Sequence, residues 1–228
     1  MKILALDSAT AACSAAVWVD GVVIAAERAE MPRGHAEALL PMVHRVRTVS
    51  GLAFTAFDRL AVTVGPGHFT GLRVGLAAAR GLALATSRPL VGVTTLEAVA
   101  AAVPAAQRGG SVVVVALDSK RAEPYLQSFD SALAPRDAPS ARAVAAYAAG
   151  LGGGAPYIVV GDAADRLAIE LRRHAAVVSV IAALRHPDAA VVAAIAAAAP
   201  APTAVPAPLY IHPVETTTPS KAALGISS

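Results

Sequence analysis

The chain has 228 residues, of which 56% are apolar, 4% aromatic and 15% charged, and its formal net charge is +3. That length and apolar content support two compact units with cores of Ala, Val and Leu. The mild basic balance permits a nucleic-acid neighbour without demanding one, because no basic run interleaved with aromatics appears. A lone cysteine, Cys13, excludes an internal disulfide and a Cys-based zinc cage, and a reducing cytoplasm is the expected location.

The opening apolar run meets Asp7 too early for a secretory segment and reads as a strand. A polar turn, a β-rich run over 13–19, the Asp20-Gly21 hairpin turn and a third run over 22–30 make a three-stranded meander. A helix is predicted over 34–48, with Leu39, Val43 and Val46 on one stripe and Pro41 tolerated in its first turns. Strand 60–64, helix 70–86, strand 90–93 and a helix from Thr95, its N-cap, to 103 complete the half. Parallel strands joined by helices imply a sheet covered on both faces. Residues 104–110 read as the linker.

The second half repeats the opening. The runs 2–7 and 112–118 both end on an aspartate, Asp7 and Asp118, followed by a polar turn and a second β-rich run. Such self-similarity suggests two related α/β halves, each presenting its Asp to the cleft between them. A helix is expected over 141–149, then the Gly152–Gly154 connector, a strand over 157–160 and helices over 163–173 and 187–199. Gly161 sits between strand and helix without the second glycine that would admit a nucleotide. The Ala-rich stretch 189–211 is broken by four prolines and is rejected as a membrane span; the last residues of the Pro- and Thr-rich tail are expected to be mobile.

The most informative segment is 61–84, where a β-branched run breaks at Gly65-Pro66-Gly67 and restarts as a helix at Thr70-Gly71. Unpaired amides at such a helix start favour an anion, and the glycines permit a close approach by a ligand or another backbone. Gly71-Leu72-Arg73 fails the Walker pattern, and the dinucleotide fingerprint is off by one residue. The loop is therefore read either as a packing turn or as a partner contact. The helix beyond it is apolar all round apart from Arg73 and Arg80, so it should be buried on every side.

In order and spacing, 6–14, His35 with the Leu-Leu-Pro-Met run ending at Met42, Gly65 to Arg73, Asp118 to Tyr125 and 208–211 resemble the TsaB family of the tRNA threonylcarbamoyladenosine pathway. The match is strong up to about residue 103 and thinner beyond. The resemblance implies the fold of actin, hexokinase and the heat-shock chaperone ATPases: two duplicated actin/ribonuclease H-like lobes, 1–105 and 106–228, each a mixed sheet flanked by helices. It also implies a non-catalytic protein that forms a heterodimer with the enzyme TsaD, joined by TsaE and, indirectly, by tRNA, with a homodimer when the chain is alone. The partner surface is then expected on Leu39, Val43, Val46, Arg73, Leu76, Ala77, Arg80 and Leu84, with Gly75, Ala78, Ala79 and Gly81 as the small residues that admit a foreign helix.

Two departures bear on chemistry. His68 stands where the family has Ser, and Ala9 where nucleotide-binding members of the wider fold carry a glycine beside their phosphate. Asp7, Thr10 and Gly161 are the candidates for a vestigial nucleotide site. The plainer reading of Asp7 is preferred, a carboxylate that bonds turn amides, with Thr10 completing an Asx-type turn. No cofactor is expected to be required, with weak ATP or ADP binding as the alternative, and no metal or catalytic residues are expected. The His-x-x-x-His pair of the catalytic paralogue is missing, as are His-Glu-x-x-His and Gly-x-Ser-x-Gly, so an older glycoprotease label finds no support. An ATPase or small-molecule kinase of the same fold is the rival reading.

Overall fold

The structure, a computed structural model, describes residues 1–152, 154–174 and 176–212. The chain runs twice through the same succession of three strands, helix, strand, helix, strand, helix. The first pass is β1 (Lys2–Asp7), β2 (Ala12–Val19), β3 (Val22–Glu30), α1 (His35–Ser50), β4 (Arg59–Gly65), α2 (Phe69–Thr86), β5 (Leu90–Thr94) and α3 (Thr95–Ala101). The second is β6 (Val112–Leu117), β7 (Tyr125–Phe129), β8 (Ser140–Ala141), α4 (Val144–Leu151), β9 (Tyr157–Val160), α5 (Ala164–Arg173), β10 (Val178–Val180) and α6 (Ala189–Ala198).

Each pass builds one five-stranded sheet, and the orders β3-β2-β1-β4-β5 and β8-β7-β6-β9-β10 correspond strand for strand. In both, the first strand pairs antiparallel with the second and parallel with the fourth. The α/β fold of two duplicated lobes is thus present. At the first hairpin Asp20 and Gly21 both take positive φ, 47° and 97°, as a two-residue turn between twisted strands requires.

The central strands are apolar on both faces because both faces are covered. Leu4 and Leu6 of β1 point with Leu60 and Val62 of β4 toward α1 and α2. Ile3, Ala5 and Ala61 point the other way, against Val192, Ala193 and Ala196 of α6. Across the molecule, Leu96, Val99 and Val103, on α3 and just beyond it, pack on Val113, Val115 and Ile158 of the second sheet. The packing thus crosses the expected boundary at residue 105: α3 covers the second sheet and α6 returns to cover the first.

Several local expectations need correcting. The helix expected over 141–149 begins at Val144, because Ala141 belongs to β8 and pairs with Tyr125. β8 and β10, at two and three residues, are too short to show a periodic signal and match none of the expected strands. The N-cap of α3 is Thr94, one residue earlier than read; its hydroxyl accepts from the Glu97 amide at 3.1 Å. Pro41, the seventh residue of α1, lies in its second turn, within the first turns expected for it.

Beyond α6 the chain turns back as a strap over the first lobe. Arg59 fixes its start by donating to the carbonyls of Ala196 and Ala199, at 3.1 and 2.6 Å. Arg80 donates to the Pro206 carbonyl at 2.6 Å, and the Leu209 amide donates to the Val64 carbonyl at 2.7 Å. Gly92 makes room for the strap, since a Cβ there would lie 2.6 Å from both Pro206 Cβ and Val64 Cγ1. The mobility expected of the last residues, 216–228, falls outside the described residues.

Gly92→Val is expected to lower stability by about 1–3 kcal/mol through overpacking against the strap. Urea unfolding checks it, and an unchanged midpoint would show that the strap is not packed there.

Candidate functional site

The site lies where β1 ends, at the turn 8–11, and α2 begins. Gly67, Gly71 and Gly75, each four residues after the last, face this turn from one side. A Cβ on Gly67 would overlap the Ala9 carbonyl, one on Gly71 the Ser8 carbonyl, and one on Gly75 would come within 2.7 Å of Ser8 Oγ. Hydrogen bonds close the seam: the His68 amide donates to the Ala9 carbonyl at 2.7 Å, and Ser8 Oγ donates to the Gly71 carbonyl at 2.9 Å. Of the alternatives for Gly65, Pro66, Gly67, Thr70 and Gly71, the packing turn describes Gly67 and Gly71 directly. Gly65 (φ 113°) precedes a cis peptide to Pro66 and faces the Leu209 carbonyl, 2.6 Å from where its Cβ would be. Thr70 is exposed at the start of α2.

Asp7 is completely buried beneath this seam. Its Oδ1 accepts from the Ala9 amide at 3.1 Å and from Thr63 Oγ1 at 2.6 Å, while Oδ2 has no partner among the described residues. Burial dominates the balance and pushes its pKa up to about 7, against the lowering effect of the Thr63 and Ala9 hydrogen bonds. The Asx-type turn is real, but the Ala9 amide closes it; the Thr10 hydroxyl is buried without a partner, and its carbonyl accepts from His35 Nε2 at 2.8 Å.

At this turn the backbone of the 67–71 loop packs directly on Ser8 and Ala9, and the Ala9 carbonyl is taken up by the His68 amide. Gly161, the third candidate, lies in the second lobe with φ 108°; its amide donates to Leu184 and a Cβ would overlap the Ala116 carbonyl, so it too is filled by protein. Among the described residues no group of three or more His, Cys, Asp or Glu side chains is arranged to hold a metal ion.

In the second lobe Asp118, expected from the repeat, is joined by Asp162 and His186, which no motif announces. Asp118 accepts from the backbone amide and from Nζ of Lys120, both at 2.8 Å, and its own amide donates to Asp162 Oδ1 at 2.7 Å. His186 Nδ1 stands 3.9 Å from Asp162 Oδ2; burial outweighs that carboxylate and holds the imidazole below its ordinary pKa. His68, the departure noted in the loop, caps the start of α2 without a side-chain hydrogen bond. Burial and the Lys120 charge lower its pKa and favour the neutral ring. No motif flags Asp162 or His186, since the β6–β9 pairing brings Asp162 to Asp118 and the β9–β10 pairing brings the turn of His186 to that of Asp162.

The proposed partner stripe divides. Leu39, Val43, Val46 and Leu76 are buried in the core of their own lobe, as is Ala79, while Gly75 faces Ser8. A partner cannot reach these residues while the lobe is folded, which corrects the expectation for them. Arg73, Ala77, Arg80, Gly81 and Leu84 lie along the outer face of α2, with Leu84 84% exposed. The helix is therefore open on one side. The strap borders that face: Arg73 lies 3.7 Å from the Phe69 ring centroid and its Nε is 3.4 Å from the Tyr210 hydroxyl.

Duplicated lobes, with an aspartate ending the first strand of one and following that of the other, define an actin/hexokinase-like ATPase fold. The activator of the 2-hydroxyisocaproyl-CoA dehydratase from Clostridium difficile, solved with bound ADPNP, shares it with a TM-score of 0.53 over 86% of this chain and 94% of its own, at 10% identity. Within that fold the chain belongs to the TsaD family, whose model, described as tRNA N6-adenosine threonylcarbamoyltransferase, matches residues 27–199. It is 43% identical over 130 residues to the tRNA threonylcarbamoyladenosine biosynthesis protein TsaB of Escherichia coli (strain K12), covering 57% of this chain and 55% of that one. A crystal structure from Pseudomonas aeruginosa, of an uncharacterized protein with similarity to peptidase YEAZ, matches with a TM-score of 0.75 at 26% identity, over 92% of this chain and 99% of its own. The chain spans about half the length of the curated TsaB relatives it matches. No described helix is long and apolar enough to cross a membrane.

The raised pKa of Asp7 fixes a pH dependence. The stability it contributes is fully present below the unfolded value of 3.8 and is lost as pH rises through about 7, because the unfolded chain ionises first. Asp7→Asn removes this dependence. Stability of the variant relative to the parent is expected to rise across that window by up to about 4 kcal/mol. Urea unfolding at a series of pH values measures it, and parallel profiles for the two proteins would contradict the buried, neutral carboxyl.

Proposed function

We propose that this chain is a non-catalytic scaffold that binds TsaD and activates it for threonylcarbamoylation of the adenosine beside the anticodon of tRNA. The observation that carries the reading is the filled turn. The turn after β1 is packed against the chain's own Gly67–Gly71 backbone, with Asp7 buried beneath it, which supports a lobe that works without a nucleotide of its own. The chain requires no cofactor of its own. Its work in the pathway is then done by a surface.

That surface is the outer face of α2, where Ala77 and Gly81 allow close approach and Arg73 and Arg80 flank the seam as cations. TsaD occupies this face in a heterodimer, with TsaE and tRNA joining through TsaD, and a second copy of the chain occupies it when TsaD is absent. Such a protein works in the cytoplasm, where its tRNA is.

Ala77 is exposed, so Ala77→Arg leaves the fold intact while placing a long charged side chain in the seam. Light scattering on the mixed proteins is expected to show the heterodimer lost, with TsaD-dependent modification down by about ten-fold or more. A heterodimer that survives the substitution places the contact elsewhere. The rival ATPase reading predicts ATP hydrolysis by the isolated chain that Asp7→Asn abolishes, and that result would overturn the proposal.

A further inference from the structure

Between the lobes lies a cleft of ≈ 830 Å³, separate from the partner stripe and bordered on one side by Ala11 and the 67–71 loop of the sealed turn. Arg33, Lys120 and Arg121 line it, opposed by one lining carboxylate, Glu37. Lys120 is also paired with Asp118, at 2.8 Å. Phe69 and Tyr210 stand in its lining with their rings 5.5 Å apart, and Phe69 keeps 41% of its surface exposed beside the Arg73 guanidinium. Two long helices also start here without side-chain caps, and the first-turn residues of α1 and α2 are all in the lining.

We propose that this cleft binds single-stranded RNA directly, its cations holding phosphodiesters while a base stacks on the Phe69–Tyr210 pair. Cations that follow a groove and aromatics that offer a π-face are the means by which proteins hold an unpaired strand. A magnesium-bound triphosphate suits the cleft less well. Asp7 is buried away from it and Asp118 is committed to Lys120, so these two carboxylates are not offered to the metal. The proposal goes beyond the scaffold reading, in which RNA reaches the complex through TsaD.

The test is fluorescence anisotropy of the full chain alone with a labelled anticodon stem-loop RNA, an unstructured oligouridine and a fully paired duplex. Binding to the two RNAs with unpaired bases is expected, with log K falling against log salt at a slope of about −2 for three phosphate contacts. Arg33→Glu and Lys120→Ala should lower both affinity and slope. Phe69→Ala should cost about ten-fold in affinity with the slope unchanged. Equal binding of the duplex, indifference to Phe69→Ala, or no binding at all overturns the proposal; displacement of the RNA by micromolar ATP with Mg²⁺ reassigns the cleft to a nucleotide. Ala77→Arg is expected to leave RNA binding intact, so failure here and failure of the scaffold reading are distinguishable.

Discussion

The contact of three glycines with one turn sets the character of this molecule. Gly67, Gly71 and Gly75 recur every four residues, so from the loop into α2 they fall on one side, and each replaces a side chain by the backbone or hydroxyl of Ser8 and Ala9. Helix and turn thereby approach to backbone distance, which no larger residue permits without displacing one of them. One consequence is mechanical, since α2 is locked to the end of β1 as well as to the sheet face. The other is chemical. The turn after β1 serves as an internal packing surface.

The same economy appears in the way the lobes are joined. Each repeat ends in a helix, and each of these helices finds its apolar partner on the other repeat's sheet: α3 on β6, β7 and β9, α6 on β1, β2, β4 and β5. Neither sheet is covered on both faces until the whole chain has folded. The contact is also fixed by polar bonds, for the amide of Ala189 at the start of α6 donates to Ser14 Oγ of β2 at 2.9 Å. The strap adds a final band, through Arg59, Arg80 and Leu209.

The duplication, the strand–loop–helix unit and the long elements were legible because each rests on a local pattern: β-branched runs, a hairpin turn and helical spacing of apolar residues. The two shortest strands were not, because β8 and β10 exist through pairing with β7 and β9 and carry no signal of their own. The site was legible in composition but not in direction. The glycine spacing correctly announced a close approach, yet sequence cannot say whether a foreign helix or the chain's own turn makes it. Likewise an apolar helix looks the same from every side in sequence, and only the placement of Leu76 and Ala79 against the sheet tells its inner face from the Ala77 and Leu84 side. Asp162 meets Asp118, and His186 meets Asp162, across strands distant in sequence, beyond the reach of any spacing rule.

Asp7 shows why a filled pocket can keep its acidic residue. In water its carboxylate would be charged, but at the base of the seam ionisation would strand Oδ2 without a described partner, and burial shifts the balance toward the acid. Neutral, it remains a useful connector: Oδ1 joins the end of β1 to Thr63 of β4 and to the Ala9 amide of the turn. An apolar replacement would leave both donors unmatched in the interior, at a cost of about 1–3 kcal/mol for each. Asp7 is thus held in place by hydrogen bonding to the turn and to β4, as the preferred reading of the sequence expects of a carboxylate that bonds turn amides.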